Sequence, residues 1–132
     1  MSSELAAKVA QRLSQLCQTP KMMAQREWIF ATEGKVFVRV TQRAINGALR
    51  PTIDVATIEI DEEHQNTGVF KQVLFAVEQV AQQHNRCVFV ENVLNEILVA
   101  PLQKYGYTLL ADSFPPSFAK DVNMKPKYKT KI

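Results

Sequence analysis

The feature that most constrains the fold of this chain is the stretch from Ile58 to Lys71, in which a strand-like run passes through a short polar loop into a helix. The loop, Gln65-Asn66-Thr67-Gly68, is polar and contains a glycine. Apolar residues then recur at helical spacing at Val69, Phe70, Val73, Leu74, Val77, Val80 and Ala81. The first amides of a helix lack intrahelical partners and carry the positive end of its dipole. The sequence therefore predicts an anion site, suited to a phosphate group, at this junction.

Strand-like segments precede the junction. Residues 28–31 and 35–42 have the pattern of an antiparallel hairpin, and we expect a turn or loop between about Arg43 and Thr52. The strand that enters the junction runs from Ile53 to Asp61. Strict alternation along it predicts one face with Ala56, Ile58 and Ile60 and an opposite face with Val55, Thr57 and Glu59.

The flanking segments add helices and a second central strand. A first helix, capped by Ser2 or Ser3 and ending before Pro20, has the apolar stripe Leu5, Val9, Leu13 and Leu16. Residues 87–90 have the length and β-branched content of a buried strand, so the order strand, helix, strand implies a parallel pair with a right-handed crossover. A further helical region contains Pro101, which would kink it or lie in the first turn of a shorter helix, and a strand over 107–110 follows.

Composition bounds the class of protein. A chain of 132 residues with 46% hydrophobic and 22% charged content is typical of one soluble domain. The net charge of +3 arises in Lys120 to Ile132, where five lysines face one acid, so the other 119 residues sum to −1. We therefore expect a domain over 1–119 and a basic tail over 120–132, and the charge argues against a nucleic-acid interface on the domain.

The two cysteines, Cys17 and Cys87, are 70 residues apart and form no cluster with metal-ligand spacing. We expect them to be reduced and buried, as in a cytoplasmic protein, and we predict no metal site. No apolar run approaches the roughly 20 residues needed to span a bilayer, so no membrane association is expected.

The pattern Ile60-x-Glu62-x-x-Gln65-x-x-Gly68 before a helix resembles the acyl-CoA-binding motif of the GNAT-type N-acyltransferases, Gln/Arg-x-x-Gly-x-Gly/Ala. A second match follows the next strand, where Asn95 and the pair Gly106-Tyr107 have the spacing found in that superfamily. The resemblance covers roughly residues 53–110. It implies an α/β (α+β) fold with a mixed, mostly antiparallel sheet, a splayed parallel strand pair and flanking helices.

The same resemblance implies the positions of a co-substrate site for acetyl-CoA. The pantetheine arm would pair with the backbone of Ile58, Glu59 and Ile60, and Asn95 would lie across the cleft. The pyrophosphate would bind the loop and first helical turn, at Gln65, Asn66, Thr67, Gly68, Val69, Phe70 and Lys71. The acceptor would be an amine on a small molecule or a protein, and its nitrogen would attack the thioester carbonyl directly and displace the CoA thiolate.

Two positions depart from the family pattern. Phe70 replaces the last small residue of the first motif, and its ring is expected to point into the core. Leu102 stands where many of these enzymes place a tyrosine that protonates the leaving thiolate, and leucine cannot do so. Tyr105 is the nearest phenol in the sequence, and Glu59 and Glu91 are the candidate general bases.

These departures leave alternatives open. The preferred prediction is an N-acetyltransferase, and the second is a non-catalytic GNAT-like domain that serves as a binding or regulatory module. A third takes the basic tail as a contact for nucleic acid or an acidic partner, although its basic and aromatic residues are not interleaved. An exposed sheet edge after Leu110 further predicts a homodimer that exchanges C-terminal strands.

Overall fold

The computed structural model describes residues 3–18, 24–45, 47–65, 67–91, 99–109 and 117–122, and within them six strands and three α-helices. The predicted site residues Asn66 and Asn95 and most of the basic tail lie outside these ranges. The helices are α1 (Glu4–Leu16), α2 (Val69–Gln83) and α3 (Val99–Lys104), with a 3-10 turn at Glu62–His64. The strands are β1 (Gln25–Ala31), β2 (Gly34–Ile45), β3 (Ala48–Ile60), β4 (Cys87–Val90), β5 (Thr108–Leu109) and β6 (Phe118–Lys120).

All six strands form one sheet in the order β1-β2-β3-β4-β6-β5. Only β3 and β4 are parallel, and they pair from Thr52 opposite Cys87 to Val55 opposite Val90. The other neighbours are antiparallel. The α+β fold with a mostly antiparallel sheet, one parallel pair and flanking helices is therefore confirmed.

The main core lies between the sheet and the helices. The stripe Leu5, Val9, Leu13 and Leu16 of α1 is buried, as predicted. The start of α1 is held in place because Ser3 accepts a hydrogen bond from the amide of Ala6 at 3.1 Å and Glu33 accepts one from the amide of Leu5 at 2.7 Å. These caps satisfy amides that would otherwise lack partners, and they join α1 to the turn between β1 and β2.

A β-bulge in β3 overturns the expected alternation of its side chains. Phe37 lies opposite Thr57 but Val38 lies opposite Val55, so Ala56 is an extra residue. The extra residue shifts the alternation by one. Val55 is consequently buried in the same core against which Ile58 packs, and the prediction that they occupy opposite faces is wrong.

The loop expected between Arg43 and Thr52 is instead part of a long hairpin. Strand β2 continues to Ile45, β3 begins at Ala48, and Pro51 lies opposite Gln42. Proline is tolerated there because the pairing of β3 with β4 begins only at Thr52. Pro101 lies in the first turn of the short helix α3, which was one of the two predicted outcomes. In the described part of the chain, no helix has both the length and the apolar character required to cross a bilayer.

Candidate functional site

The two parallel strands separate at the bulge. The amide of Glu91 donates to the carbonyl of Val55 at 3.0 Å, and β4 has ended at Val90. Strand β3 continues to Ile60, paired on its other side with β2. Within the residues that the structure describes, the β4-facing edge of β3 from Ala56 to Ile60 therefore has no strand beside it. This edge includes the backbone of Ile58, Glu59 and Ile60, with which the family resemblance implies that the pantetheine arm would pair.

The loop after β3 is closed by its own side chains. The Gln65 side-chain amide donates to the carbonyl of Ile60 at 3.0 Å, and the Thr67 hydroxyl donates to the carbonyl of His64. Gly68 then has φ +86°, in the left-handed region that a side chain would strain.

The first turn of α2 offers amides for an anion. No side chain caps this end of the helix, and the first intrahelical bond is from the amide of Gln72 to the carbonyl of Gly68, at 3.0 Å. The amides of Val69, Phe70 and Lys71 precede that bond. Phe70 is partly buried and packs against the core, as expected. The arrangement fits backbone recognition of a phosphate.

Acidic residues adjoin this anion site. Asp61, Glu62 and Glu63 line an open depression of about 530 Å³. Asp61, Glu63 and His64 also offer ligand atoms within 4.8 Å of one another. Exposed acids of this kind are common without an ion, so the cluster by itself carries no metal assignment. Its negative charge opposes an anionic ligand at α2.

The two candidate bases lie in different surroundings. Glu59 is 61% exposed at its side chain and lies 3.4 Å from Lys35 on β2. Glu91 is only 19% exposed and forms ion pairs with Arg39 and, at 3.4 Å, with Arg43. Because Glu91 follows β4 directly, its position is beside the point where the strands separate.

A buried carboxylate beside Glu91 was missed from the sequence. Asp54 is fully buried, accepts hydrogen bonds from Arg43 at 2.6 Å and from the Thr52 hydroxyl at 2.7 Å, and faces Arg39 in the strand register. Burial raises the pKa of Asp54, against the lowering effect of the bonds from Thr52 and Arg43. Polar residues alternate with apolar ones in β2 and β3, and this pattern could have indicated Asp54. It identifies the partners of Asp54 only once the register of the hairpin is known.

The tyrosines near the end of α3 have packing roles. Tyr105 is half-buried and meets the Phe75 ring edge-on at 6.0 Å. Tyr107 is buried, and its hydroxyl donates to Glu78 at 2.8 Å. Burial, followed by the charge of Glu78, raises the pKa of Tyr107 far above its ordinary value. Leu102 is fully buried in the core and supplies no proton donor.

Solved structures of low sequence identity share this fold. A protein of Agrobacterium tumefaciens assigned as an acetyltransferase superposes with a TM-score of 0.56 at 14% identity, over 91% of this chain and 93% of that chain. The chain has the fold of the GNAT-type N-acyltransferases. A complex of KacTA with DNA has a TM-score of 0.55 at 16% identity, over 92% and 82% of the two chains.

A third structure with the GNAT fold contains the acyl donor. It is a tyrosine-to-phenylalanine mutant of the toxin AtaT, bound to the C-terminus of the antitoxin AtaR and to acetyl-CoA. Its TM-score is 0.54 at 15% identity, and the match covers 68% of this chain but only 59% of AtaT. No protein-family model and no curated protein sequence matches the chain.

Proposed function

We propose that this protein is an acyl-CoA-dependent N-acyltransferase that transfers acetyl from acetyl-CoA to an amine by direct attack. The observation that carries the proposal is the separation of β3 from β4 beyond Val55, which leaves a strand edge leading to the uncapped start of α2. Such an edge offers amides and carbonyls to an extended ligand, and the helix start offers amides to a phosphate. An AtaT structure with this fold binds acetyl-CoA, which supports the choice of ligand.

The proposed ligand follows this path. The pyrophosphate binds amides of the loop from Gln65 to Gly68 and of the first turn of α2, and the pantetheine arm pairs with β3 at Ile58, Glu59 and Ile60. Its thioester then lies near the bulge at Ala56. Asn66 and Asn95, which lie outside the described residues, stay predicted contacts from the family resemblance.

The reaction requires a stabilised oxyanion and a base. Amides of β3 that are not bonded to β4 are suited to stabilise the tetrahedral intermediate. Glu91 is the better placed base, because Glu59 is three residues beyond Ala56, or about 10 Å along the strand. Only an unprotonated amine can attack the thioester, so the rate is expected to depend on the concentration of unprotonated amine. The CoA thiolate can leave without a general acid, because cysteine-like thiols have a pKa of about 8.5.

Tyr105 is unsuited to the role of general acid that the sequence left open. Its ring packs against Phe75 on α2, and its carbonyl accepts a hydrogen bond from Lys120 at 2.7 Å. We assign it to packing. The chemistry then resembles that expected of an enzyme that relies on positioning and modest base catalysis.

The second candidate is a GNAT-fold module that binds without catalysis. Leu102 is buried where the family acid would stand, and Glu59 and Glu91 both form ion pairs. Nucleic-acid binding by the domain has less support, because arginines of the described residues pair with acids: Arg12 with Glu27, Arg39 with Glu91, Arg43 with Asp54 and Arg50 with Asp121. A protein or small-molecule acceptor, cytoplasmic localisation and a strand-exchanged homodimer stay predictions.

The test measures acetyl-CoA binding by calorimetry and thioester cleavage with a panel of amines. The informative variant is Gly68→Ala, because a side chain at the positive φ of Gly68 strains the backbone of the proposed phosphate loop. Gly47→Ala is the matched control, since Gly47 also has a positive φ, +83°, with open space around it, but lies in the β2–β3 hairpin. We expect wild type and Gly47→Ala to bind and Gly68→Ala to bind at least tenfold more weakly. Wild-type binding without turnover would favour the second candidate. If the wild-type protein does not bind acetyl-CoA at millimolar concentration, neither the N-acyltransferase nor a CoA-binding module is supported.

A further inference from the structure

Three aromatic rings lie on the face of the sheet that α1 and α2 do not cover. The ring centroid of Trp28 on β1 is 4.9 Å from that of Phe37 on β2 and 6.1 Å from that of Phe30 on β1. Ile29 and Val36, which alternate with these rings along their strands, are buried in the core beneath the helices, so the rings point to the opposite side. Trp28 is 42% exposed and Phe30 59%. We call these three rings the aromatic face.

Cations flank the aromatic face. Lys35 Nζ lies 5.3 Å from the ring centroid of Trp28, and Arg39 Cζ lies 5.5 Å from that of Phe37. Arg26 is exposed, lies opposite Arg39 in the strand register and points to the same side as Trp28, two residues further on. Within the residues that the structure describes, no acid forms an ion pair with Arg26. Exposed aromatic rings beside arginine are typical of protein interfaces.

The free edge of β1 is less suited to a partner than this face. Lys8 of α1 donates to the carbonyl of Phe30 at 3.0 Å, so an incoming strand would have to displace that lysine. Lysines at a sheet edge disfavour the addition of a further strand. A partner is therefore expected to contact side chains of the aromatic face.

The charges decide between three kinds of partner. A second copy of the chain would bring the same cations face to face across a two-fold axis, and they would repel. A nucleic acid would bring a phosphate at every nucleotide, although Lys35 and Arg39 already pair with Glu59 and Glu91, which repel phosphates. A protein segment can instead place single carboxylates at Arg26 and apolar side chains on the rings.

We propose that the aromatic face is the docking site of a protein segment that carries acidic and aromatic side chains together. A carboxylate of the segment pairs with Arg26, and its rings pack on Trp28, Phe30 and Phe37. This inference does not depend on the proposed function, because none of these side chains is assigned a contact with acetyl-CoA.

The test uses the fluorescence of Trp28, which is the only tryptophan of the chain and therefore reports this face directly. The probe is a random copolymer of glutamate and tyrosine, with excitation at wavelengths that tyrosine does not absorb. We expect a saturable change in the emission of Trp28. Poly-glutamate, which lacks rings, and an oligothymidylate should each bind at least about tenfold more weakly. Binding of the copolymer should also weaken with salt, because the charges are exposed.

Two variants separate the rings from the charge. Phe30→Ala should weaken copolymer binding about tenfold, and Arg26→Gln should weaken it about threefold and reduce its salt dependence. Phe75→Ala is the matched control, because Phe75 is an exposed phenylalanine on α2, on the other side of the sheet, and it should leave binding unchanged. Melting temperatures verify that each variant is folded.

Four outcomes would overturn the inference. The emission of Trp28 could fail to respond to the copolymer, or the copolymer could bind no more tightly than poly-glutamate. Tighter binding of the oligothymidylate would assign the face to nucleic acid. Emission that changes with protein concentration, together with a dimer in sedimentation, would assign the face to a second copy of the chain.

Discussion

Arg43 Nε lies 2.6 Å from Oδ2 of Asp54, a fully buried carboxylate on the neighbouring strand. Burial raises the pKa of Asp54, and the bond from Arg43 is one of the effects that oppose this rise. Arg43 therefore stabilises the charged form of Asp54, which burial in the protein interior disfavours.

We expect Arg43→Ala to destabilise the protein by about 2–4 kcal/mol at pH 7, because it leaves the Asp54 carboxylate buried without its cation. The loss of Arg43 raises the pKa of Asp54 further. An acid whose folded pKa exceeds its unfolded value opposes folding increasingly as pH rises from the unfolded value of 3.8 through the folded one. The loss in free energy of unfolding of Arg43→Ala relative to wild type should therefore be smaller at pH 5 than at pH 7. Urea unfolding at the two pH values measures it. Arg26→Ala, at an exposed arginine of β1, is the control; a deficit independent of pH would contradict the argument.

Tyr107→Phe should destabilise the domain by about 1–2 kcal/mol, because it removes a buried hydroxyl that donates to Glu78 at 2.8 Å. Glu78 retains Lys120 at 3.2 Å, which limits the loss. Thermal or urea unfolding measures the difference. A variant as stable as wild type would mean that water replaces the hydroxyl without cost.

Tyr105→Phe should leave kcat for acetyl transfer within about twofold of wild type, because the phenol is assigned no proton transfer. The ring contact with Phe75 is retained in this variant. Steady-state rates across pH measure the effect. A fall of about 100-fold, the usual contribution of a general acid, would restore Tyr105 to that role.

Features of this site that depend on local sequence patterns could be predicted, and features that depend on strand pairing could not. The junction from Ile58 to Lys71 was predictable because strand alternation, a glycine turn and helical spacing are local patterns. The bulge at Ala56 was not, since an inserted residue appears only in the pairing of Phe37 and Val38 with β3. For the same reason Asp54 escaped notice: its partner Arg43 lies on the neighbouring strand β2, and spacing along the chain does not reveal a contact across two strands.

Glu62→Gln and Glu63→Gln should each tighten acetyl-CoA binding about two- to threefold at low ionic strength. Both acids line the depression before α2 and repel an anionic ligand at its first turn. Because they are exposed, the gain should disappear at about 0.5 M salt, where screening is strong. Calorimetry at two salt concentrations measures it. Weaker binding in these variants would indicate that the acids assist the ligand, for instance through a cation.

The base assignment predicts different outcomes for two glutamates of similar chemistry. Glu91→Gln should lower kcat about 100-fold with little change in acetyl-CoA affinity, because Glu91 lies where β3 and β4 separate and is the proposed acceptor of the amine proton. Glu59→Gln is the matched control and should lower kcat less than threefold, since its side chain is exposed and pairs with Lys35. The remaining rate of Glu91→Gln should rise with pH as unprotonated amine accumulates. Equal losses in the two variants, or a larger loss in Glu59→Gln, would contradict the placement of the thioester at the bulge.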